Sequence, residues 1–445
     1  MGLRDLPSVD ALADQLQSPL PRAVVVEAAR NALDRARQTL TDGAEAANPK
    51  EMATEELEKL AGLKSRRVIN ATGVLLHTNL GRAPWHQSAA DAAVASAVGY
   101  DPVEMDLGAE QRGGRGAYAA NLISAYTGAQ AALVVNNNAG ALLLALAALV
   151  GNGGVLVSRG ELIEIGGSFR LPELMAASGA DLIEVGTTNR TRLSDYQAAV
   201  DGAGLILKVH PSNYRIEGFA EEASYRELGE LAARHNLPFV ADVGSGLLDA
   251  RVPWLDHAPP DWLAEEPGVR QTIETGADVV LFSGDKVMGG PQAGIAVGTS
   301  DAIETMRRHP LARALRCDGP TLAALEATIE LYSEGRGAEI PFWAMTSIPY
   351  EELELRSKDV ITRAGVAAEL DSGRSVPGAG SVPGRGMSSP VIRVPGDADE
   401  LWRRLLHYEP PIVARRADGE LTIDLRAVDP TDDASVSAAM AEACR

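Results

Sequence analysis

The chain has 445 residues, 45% of them hydrophobic and only 4% aromatic, and carries a formal net charge of −20. Two or three domains with a large core are expected at that length. The acidic balance argues against DNA or nonspecific nucleic-acid binding while leaving room for a local basic patch. Cys317 and Cys444 are far apart and match no metal-ligand spacing, so no metal is expected and a reducing cytoplasm suits them. The N-terminus has no signal-peptide core, and the longest apolar stretch, Ala139 to Val150, is too short to span a bilayer. A soluble, cytoplasmic protein with no membrane partner is the expectation.

Residues 1–62 read as a small helical domain. Val26, Ala29, Leu33 and Ala36 share one face of a predicted helix over 23–40, with Arg30, Arg35 and Arg37 outside it. Asp42-Gly43 ends that helix and Asn48-Pro49 opens another. The pattern is that of a solvated cap or of a docking module, and by itself favours the cap.

A large α/β domain is predicted over 63–335. It begins with polar groups alternating with apolar ones from Val68 to Pro84, read as a site-lining loop. A second loop, Asp106 to Gly116, carries Arg112 and Arg115 among glycines, where they could face an anion. Apolar strands are then predicted at 132–135, 155–158, 182–185, 205–210, 239–242 and 279–282, with helices between several of them. Short, almost continuously apolar strands in that order indicate a mostly parallel central sheet covered on both faces. Ligands of such sheets collect at the carboxyl ends of the strands.

Three of those ends carry chemistry. Asn136, Asn137 and Asn138 precede an apolar helix, an arrangement that caps a helix and equally offers N–H groups to a phosphate. Asp242 ends a buried strand, where a carboxylate needs a cationic partner such as a pyridinium nitrogen. Lys286 follows the strand 279–282 in a turn with Gly289, Gly290 and Pro291. It is either a solvated turn lysine or an amine joined to an aldehyde as a Schiff base, as in pyridoxal phosphate enzymes. Ser283, three residues before it, can hydrogen-bond a phosphate oxygen. Each signal is weak alone; in this order they are fairly specific.

A small α+β domain, 336–445, is predicted to close the chain. Helix 350–364 leads into a Gly/Pro-rich stretch over 373–390. Strand 391–394, helix 398–406 and a ribbon of 412–416 with 421–425, turning at Asp418-Gly419, come next.

The segments RRVINATGVLLHTNLGRAP (66–84), LVVNNNAGALLLAL (133–146), VSRGELIEIGGSFRLP (157–172), EVGTTNRT (184–191), KVHPSNYRIEGF (208–219), ADVGSG (241–246), SGDKVMGGPQAGI (283–295) and HPLARALRCD (309–318) closely resemble bacterial selenocysteine synthases, the L-seryl-tRNA(Sec) selenium transferases. The resemblance runs from about residue 5 to 430. It implies a fold-type-I pyridoxal phosphate transferase that converts L-seryl-tRNA(Sec) to L-selenocysteinyl-tRNA(Sec) through an aminoacrylyl intermediate, with selenophosphate as donor. Lys286 would hold the cofactor and act as acid and base. Asp242, Ser283, Asn136, Asn137, Asn138, Ser212 and Asn213 would complete the cofactor site.

The same resemblance places Arg82, Arg313 and Arg316 on the selenophosphate anion; a helix through 313–316 would put the last two on one face. Arg112, Arg115 and Arg426 are further substrate candidates, Arg426 being open to a structural or tRNA-contacting role. Where the family has RGSRHSH, this chain keeps both arginines but lacks the two histidines. A tRNA partner would need local basic patches, such as Lys64 to Arg67, the Arg30/Arg35/Arg37 face, or Arg403, Arg404, Arg415 and Arg416. The N-terminal domain would dock that tRNA, and the family implies homo-oligomers built from dimers and joined into a decamer. The competing readings are a related pyridoxal phosphate lyase acting on a small amino acid or amino sugar without tRNA, and a non-catalytic protein of this fold that binds RNA or a partner chain.

Overall fold

The computed structural model describes residues 2–165, 169–212, 214, 216, 218–378, 385–417 and 419–445. It divides into two compact units, Met1–Arg67 and Val68–Arg445. In the first, helices Arg22–Thr41 and Pro49–Gly62 pack through Val25, Ala28, Ala29, Leu33 and Leu57. Val25 and Ala28 belong to the buried face, whereas Val26 is half-buried, so the stripe sits slightly round the helix from the predicted one. Asn48 caps the second helix by accepting from the Lys50 N–H at 3.0 Å, and Pro49 takes the first-turn position that lacks an N–H requirement.

The second unit opens with strands β1 (Ile69–Ala71) and β2 (Val74–Leu76). Seven strands follow: β3 (Ala131–Val135), β4 (Gly154–Ser158), β5 (Leu182–Val185), β6 (Ala203–Val209), β7 (Phe239–Gly244), β8 (Val279–Ser283) and β9 (Gly294–Gly298). They form one sheet in the order β3-β9-β8-β7-β6-β4-β5. All are parallel except β9, which runs antiparallel to β8 and β3. Every residue of β4, β6, β7, β8 and β9 is buried, and alternate side chains enter different cores. Ile206, Phe239, Val280 and Phe282 join one; Leu205, Leu207, Val240 and Leu281 join the other. A sheet covered on both faces explains why these strands read as continuous apolar runs.

The glycine-rich turn after β8 returns the chain as β9, and the register sets Ser283 beside Gly294 and Gly294 beside Val135. Because β9 reverses twice, β3 and β8 point the same way. Their carboxyl ends, one bearing Asn136 to Asn138 and the other Lys286, meet at one edge of the sheet.

Strands β10 (Glu369–Gly378), β11 (Met387–Val394), β12 (Ile412–Ala417) and β13 (Glu420–Asp424) join β1 and β2 in a second sheet, order β1-β12-β13-β11-β10-β2. Two predictions are corrected here. The segment read as a loop from Val68 contributes β1 and β2, and the Gly/Pro-rich stretch from Gly373 contributes most of an antiparallel β10–β11 pair. Pairing with distant strands supplies the ladder hydrogen bonds that local propensity understates. The second sheet therefore draws on residues 69–76 as well as on the C-terminal part, and the first unit ends at Arg67 rather than at 62. Asp418 lies outside the described residues. Helix Asp433–Ala443, which the sequence pattern did not single out, buries Val436, Ala439, Met440 and Ala443 in this part of the core. Among the described residues no helix is long and apolar enough to cross a membrane.

Candidate active site

Lys286 leaves the end of β8 and Asp242 lies in β7; each is only 8% exposed. Gly244, at φ 65°, stands between them. A methyl carbon placed there would lie 3.7 Å from Ser212 Oγ, 3.8 Å from Asp242 Oδ1 and 3.8 Å from Lys286 Nζ. Glycine thus keeps open a small cradle walled by an amine, a carboxylate and a hydroxyl, and it tolerates the left-handed backbone that forms it.

Burial pushes the Lys286 ammonium pKa below its ordinary value, opposed by Asp242, while the Arg82 guanidinium adds to the downward push. Burial likewise raises the Asp242 carboxyl, opposed by Asn138 and then by Lys286. Asn138 Nδ2 donates to Asp242 Oδ1 at 2.8 Å, while Asn138 Oδ1 is buried without a hydrogen-bond partner. Asn137 caps helix Asn138–Leu149 by accepting from the Gly140 N–H at 2.8 Å. The asparagine triplet is thereby divided: Asn137 serves the helix and Asn138 orients the carboxylate. Ser283 and Ser212 are buried at the same strand ends. Asn213 lies outside the described residues.

These groups fit pyridoxal phosphate. An amine whose pKa burial lowers is readied for an aldehyde, and a buried carboxylate suits a pyridinium nitrogen. The N-terminus of a twelve-residue helix suits a phosphate. The open cradle and the orphaned Asn138 oxygen leave space and hydrogen-bonding capacity that the protein's own atoms do not use.

The arginines distribute unevenly. Arg82 adopts a left-handed backbone, at φ 69°, with Nη1 donating to Thr78 Oγ1 at 3.2 Å and Nε 3.6 Å from Asp285 Oδ2, one residue before Lys286. Helix Pro310–Ala314 ends before Arg316, so the expected helical face shared by Arg313 and Arg316 does not form. Both are exposed. Arg316 reaches Glu104 instead, at 3.2 Å, and the same carboxylate takes Arg112 at 2.9 Å and Arg115 at 3.1 Å. Hydrogen bonds from Arg115 and Arg112 hold the Glu104 carboxyl below its usual range. Sequence reasoning found the three guanidinium groups but had no signal for the residue that gathers them.

Arg426, open in the sequence to a substrate, structural or tRNA-contacting role, is engaged by the protein's own groups. It is 3% exposed, and its guanidinium donates to Ser375 Oγ, to the carbonyls of Met345 and Ile348, and to that of Ser388, at 2.8–3.2 Å. Its donors hold β10, β11 and the end of helix Pro341–Ser347 together. The candidate basic patches are also largely paired: Arg30 with Glu27, Arg35 with Glu56, Arg37 with Asp34, Arg403 and Arg404 with Glu400, and Arg416 with Asp399.

Comparison with known proteins decides the family. The family model described as SelA, L-seryl-tRNA selenium transferase, matches residues 68–429. The chain belongs to that family. It is 41% identical to the L-seryl-tRNA(Sec) selenium transferase of Geotalea daltonii over 98% of each chain. It is also 42% identical to that of Moorella thermoacetica, over 99% of this chain and 97% of the relative. Among solved structures, D-glucosaminate-6-phosphate ammonia-lyase shares the fold, with TM-score 0.62 and 19% identity over 87% of this chain and 97% of the other.

Within this selenium transferase fold, two further residues reach the site without a sequence signal. The His210 backbone N–H donates to the Asp242 carbonyl at 2.8 Å, and His210 Nε2 lies 3.4 Å from Glu266 Oε2. Glu266 opposes the lowering of the Lys286 pKa, and His210 opposes the raising of that of Asp242. Glu266 sits in the connection between β7 and β8, a stretch that periodicity leaves featureless.

Proposed function

We propose that this chain is a pyridoxal phosphate-dependent L-seryl-tRNA(Sec) selenium transferase, which removes water from the seryl group and adds selenium from selenophosphate to give L-selenocysteinyl-tRNA(Sec). The observation that carries this reading is the cradle at Gly244, with Lys286, Asp242 and Ser212 around it, in a chain of this family. Bound there, pyridoxal phosphate supplies an electron sink that acidifies the seryl Cα–H and lets the β-hydroxyl leave.

The protein's own groups do the rest. Lys286 holds the cofactor through its amine and, once released, takes and returns the Cα proton, work that a pKa lowered by burial favours. Asp242, oriented by Asn138, places a carboxylate for the ring nitrogen. Ser283, Ser212, Asn213 and the asparagine-capped helix take the remaining polar groups. Burial excludes water, which strengthens each of these interactions.

The selenium donor is an anion, and Arg82, Arg313 and Arg316 receive it. Arg82 lies 3.6 Å from Asp285, the residue before the reacting lysine; Arg313 is exposed, and Arg316 can exchange Glu104 for the incoming anion. Arg112 and Arg115, on the same glutamate, serve the same electrostatic purpose from the opposite loop. The first unit docks the tRNA. The protein is cytoplasmic and assembles from dimers into a larger homo-oligomer, in keeping with the exposed apolar side chains Val98, Tyr100, Met105 and Leu107.

An absorbance titration of the cofactor-loaded protein tests this. Seryl-tRNA(Sec) is expected to change the spectrum, free L-serine and an ordinary seryl-tRNA are not, and selenocysteinyl-tRNA forms once selenophosphate is added. A response to free amino acids with none to any tRNA would replace the reading with that of a small-molecule lyase.

A further inference from the structure

At the carboxyl ends of β4 and β6, walled in part by His210, lies a cavity of about 480 Å³, within the roughly 300–1,000 Å³ of small-molecule sites. Its charges decide what it can hold. Lys208 is held by Glu161 and Glu222, each at 3.0 Å; Arg190 is held by Glu221, and Arg385 by Glu265 at 2.9 Å. Each lysine or arginine in the wall already has its carboxylate, so the cavity is poorly suited to an anion such as selenophosphate. Among the described residues the remaining wall carboxylate, Glu266, meets no lysine or arginine of the wall and has His210 Nε2 3.4 Å from its Oε2. Its side chain is 2% exposed, and its Oε1 is buried without a hydrogen-bond partner. Two further wall atoms, His210 Nε2 and Tyr225 Oη, are buried and equally without a hydrogen bond. A buried carboxylate oxygen with no donor is costly, so the wall is built for a ligand that brings hydroxyl or amino donors. Tyr214 and Trp262 supply aromatic surface in the same wall.

We infer that this cavity receives the terminal ribonucleoside of the aminoacylated RNA, with Glu266 accepting a hydrogen bond from the ribose hydroxyl that the ester leaves free. This rests on the seryl-tRNA reading above. In that substrate the ribose is the next group after the seryl carbonyl. A seryl Cα at Lys286 therefore carries the sugar into adjacent space, and His210 joins the cavity to the cofactor site, its backbone N–H on the Asp242 carbonyl at 2.8 Å and its Nε2 3.4 Å from Glu266. The base is accommodated against the aromatic wall, where stacking is tolerant of base identity. The cavity thus recognises the end common to aminoacyl-tRNAs, and discrimination of one tRNA body from another belongs elsewhere.

The test uses the full-length, cofactor-loaded protein and two probes: seryl-tRNA(Sec) ending in adenosine, and the same RNA ending in 2′-deoxyadenosine. Wild type is expected to bind the deoxy probe about tenfold more weakly, the size of one hydrogen bond to a charged acceptor. Glu266→Gln is expected to bind the adenosine probe about tenfold more weakly and to lose little further on the deoxy probe. Equal binding of both probes by wild type that still forms selenocysteinyl-tRNA overturns the cavity assignment and leaves the proposed function intact. Failure of wild type to bind either probe overturns both. The wild-type comparison decides the matter even where the variant, checked by circular dichroism and cofactor absorbance, does not fold.

Discussion

Replacing Gly244 with alanine adds one methyl group at the centre of the cofactor cradle. That carbon would stand 3.7–3.8 Å from Ser212 Oγ, Asp242 Oδ1 and Lys286 Nζ. Heavy atoms pack best at about 3.5–4.0 Å, so the methyl leaves no room for another atom between itself and any of the three. The direct penalty on the protein is the left-handed backbone at φ 65°, about 1–2 kcal/mol for a residue with a Cβ. The penalty on cofactor binding is that of overpacking, about 1–3 kcal/mol, or roughly 5- to 150-fold in affinity. Thermal unfolding of the cofactor-free variant reads the first quantity, and pyridoxal phosphate titration by absorbance reads the second. A variant destabilised as expected that nevertheless binds the cofactor with wild-type affinity would show that the Gly244 space is not the cofactor's, and the argument from the cradle would fall.

Lys286→Met should abolish the absorbance of lysine-bound cofactor and change the pH dependence of stability. The folded lysine has a pKa below its ordinary 10.5, so between those two values the unfolded chain carries a proton that the folded protein lacks. Stability of the cofactor-free wild type should therefore gain with rising pH through that window relative to Lys286→Met, and an absent difference in melting temperature would refute the burial argument. Arg313→Ala combined with Arg316→Ala should spare water elimination from the seryl group and block selenium transfer; selenium incorporation at the wild-type rate would remove both from the donor site. Glu104→Gln should lower the KM for selenophosphate by freeing Arg316, and a raised KM would show that Glu104 positions the arginines instead of competing for them. Arg426→Gln should cost more than about 3 kcal/mol of stability, since it strips a buried charge-assisted network. A stable variant with a selective loss of activity would return Arg426 to the substrate site.

Much of the framework was legible from residues 120 to 300 alone. Apolar runs of strand length separated by helical patterns predicted the mostly parallel sheet, because a strand buried on both faces must be apolar at consecutive positions. Lys286, Asp242 and the asparagine triplet stood out for a similarly local reason: charged or polar groups at buried strand ends need partners. The resemblance to selenium transferases named those partners before the fold was known.

What lay beyond the sequence was set by pairing between distant segments. Only the topology slips β9 between β3 and β8 and so brings Asn138 to the carboxylate of Asp242, 104 residues away. Glu104 meets Arg316 across 212 residues, and Arg426 meets Ser375 across 51. Strands β1 and β2 look like a loop because their partners, β12 and β10, are some three hundred residues further on and supply the hydrogen bonds that define them. Local sequence determines which backbone states and which faces are favoured, since those depend on neighbours within a few positions. Which carboxylate meets which guanidinium, and which glycine faces a cofactor, depends on how the layers close, and that is a property of the whole tertiary structure.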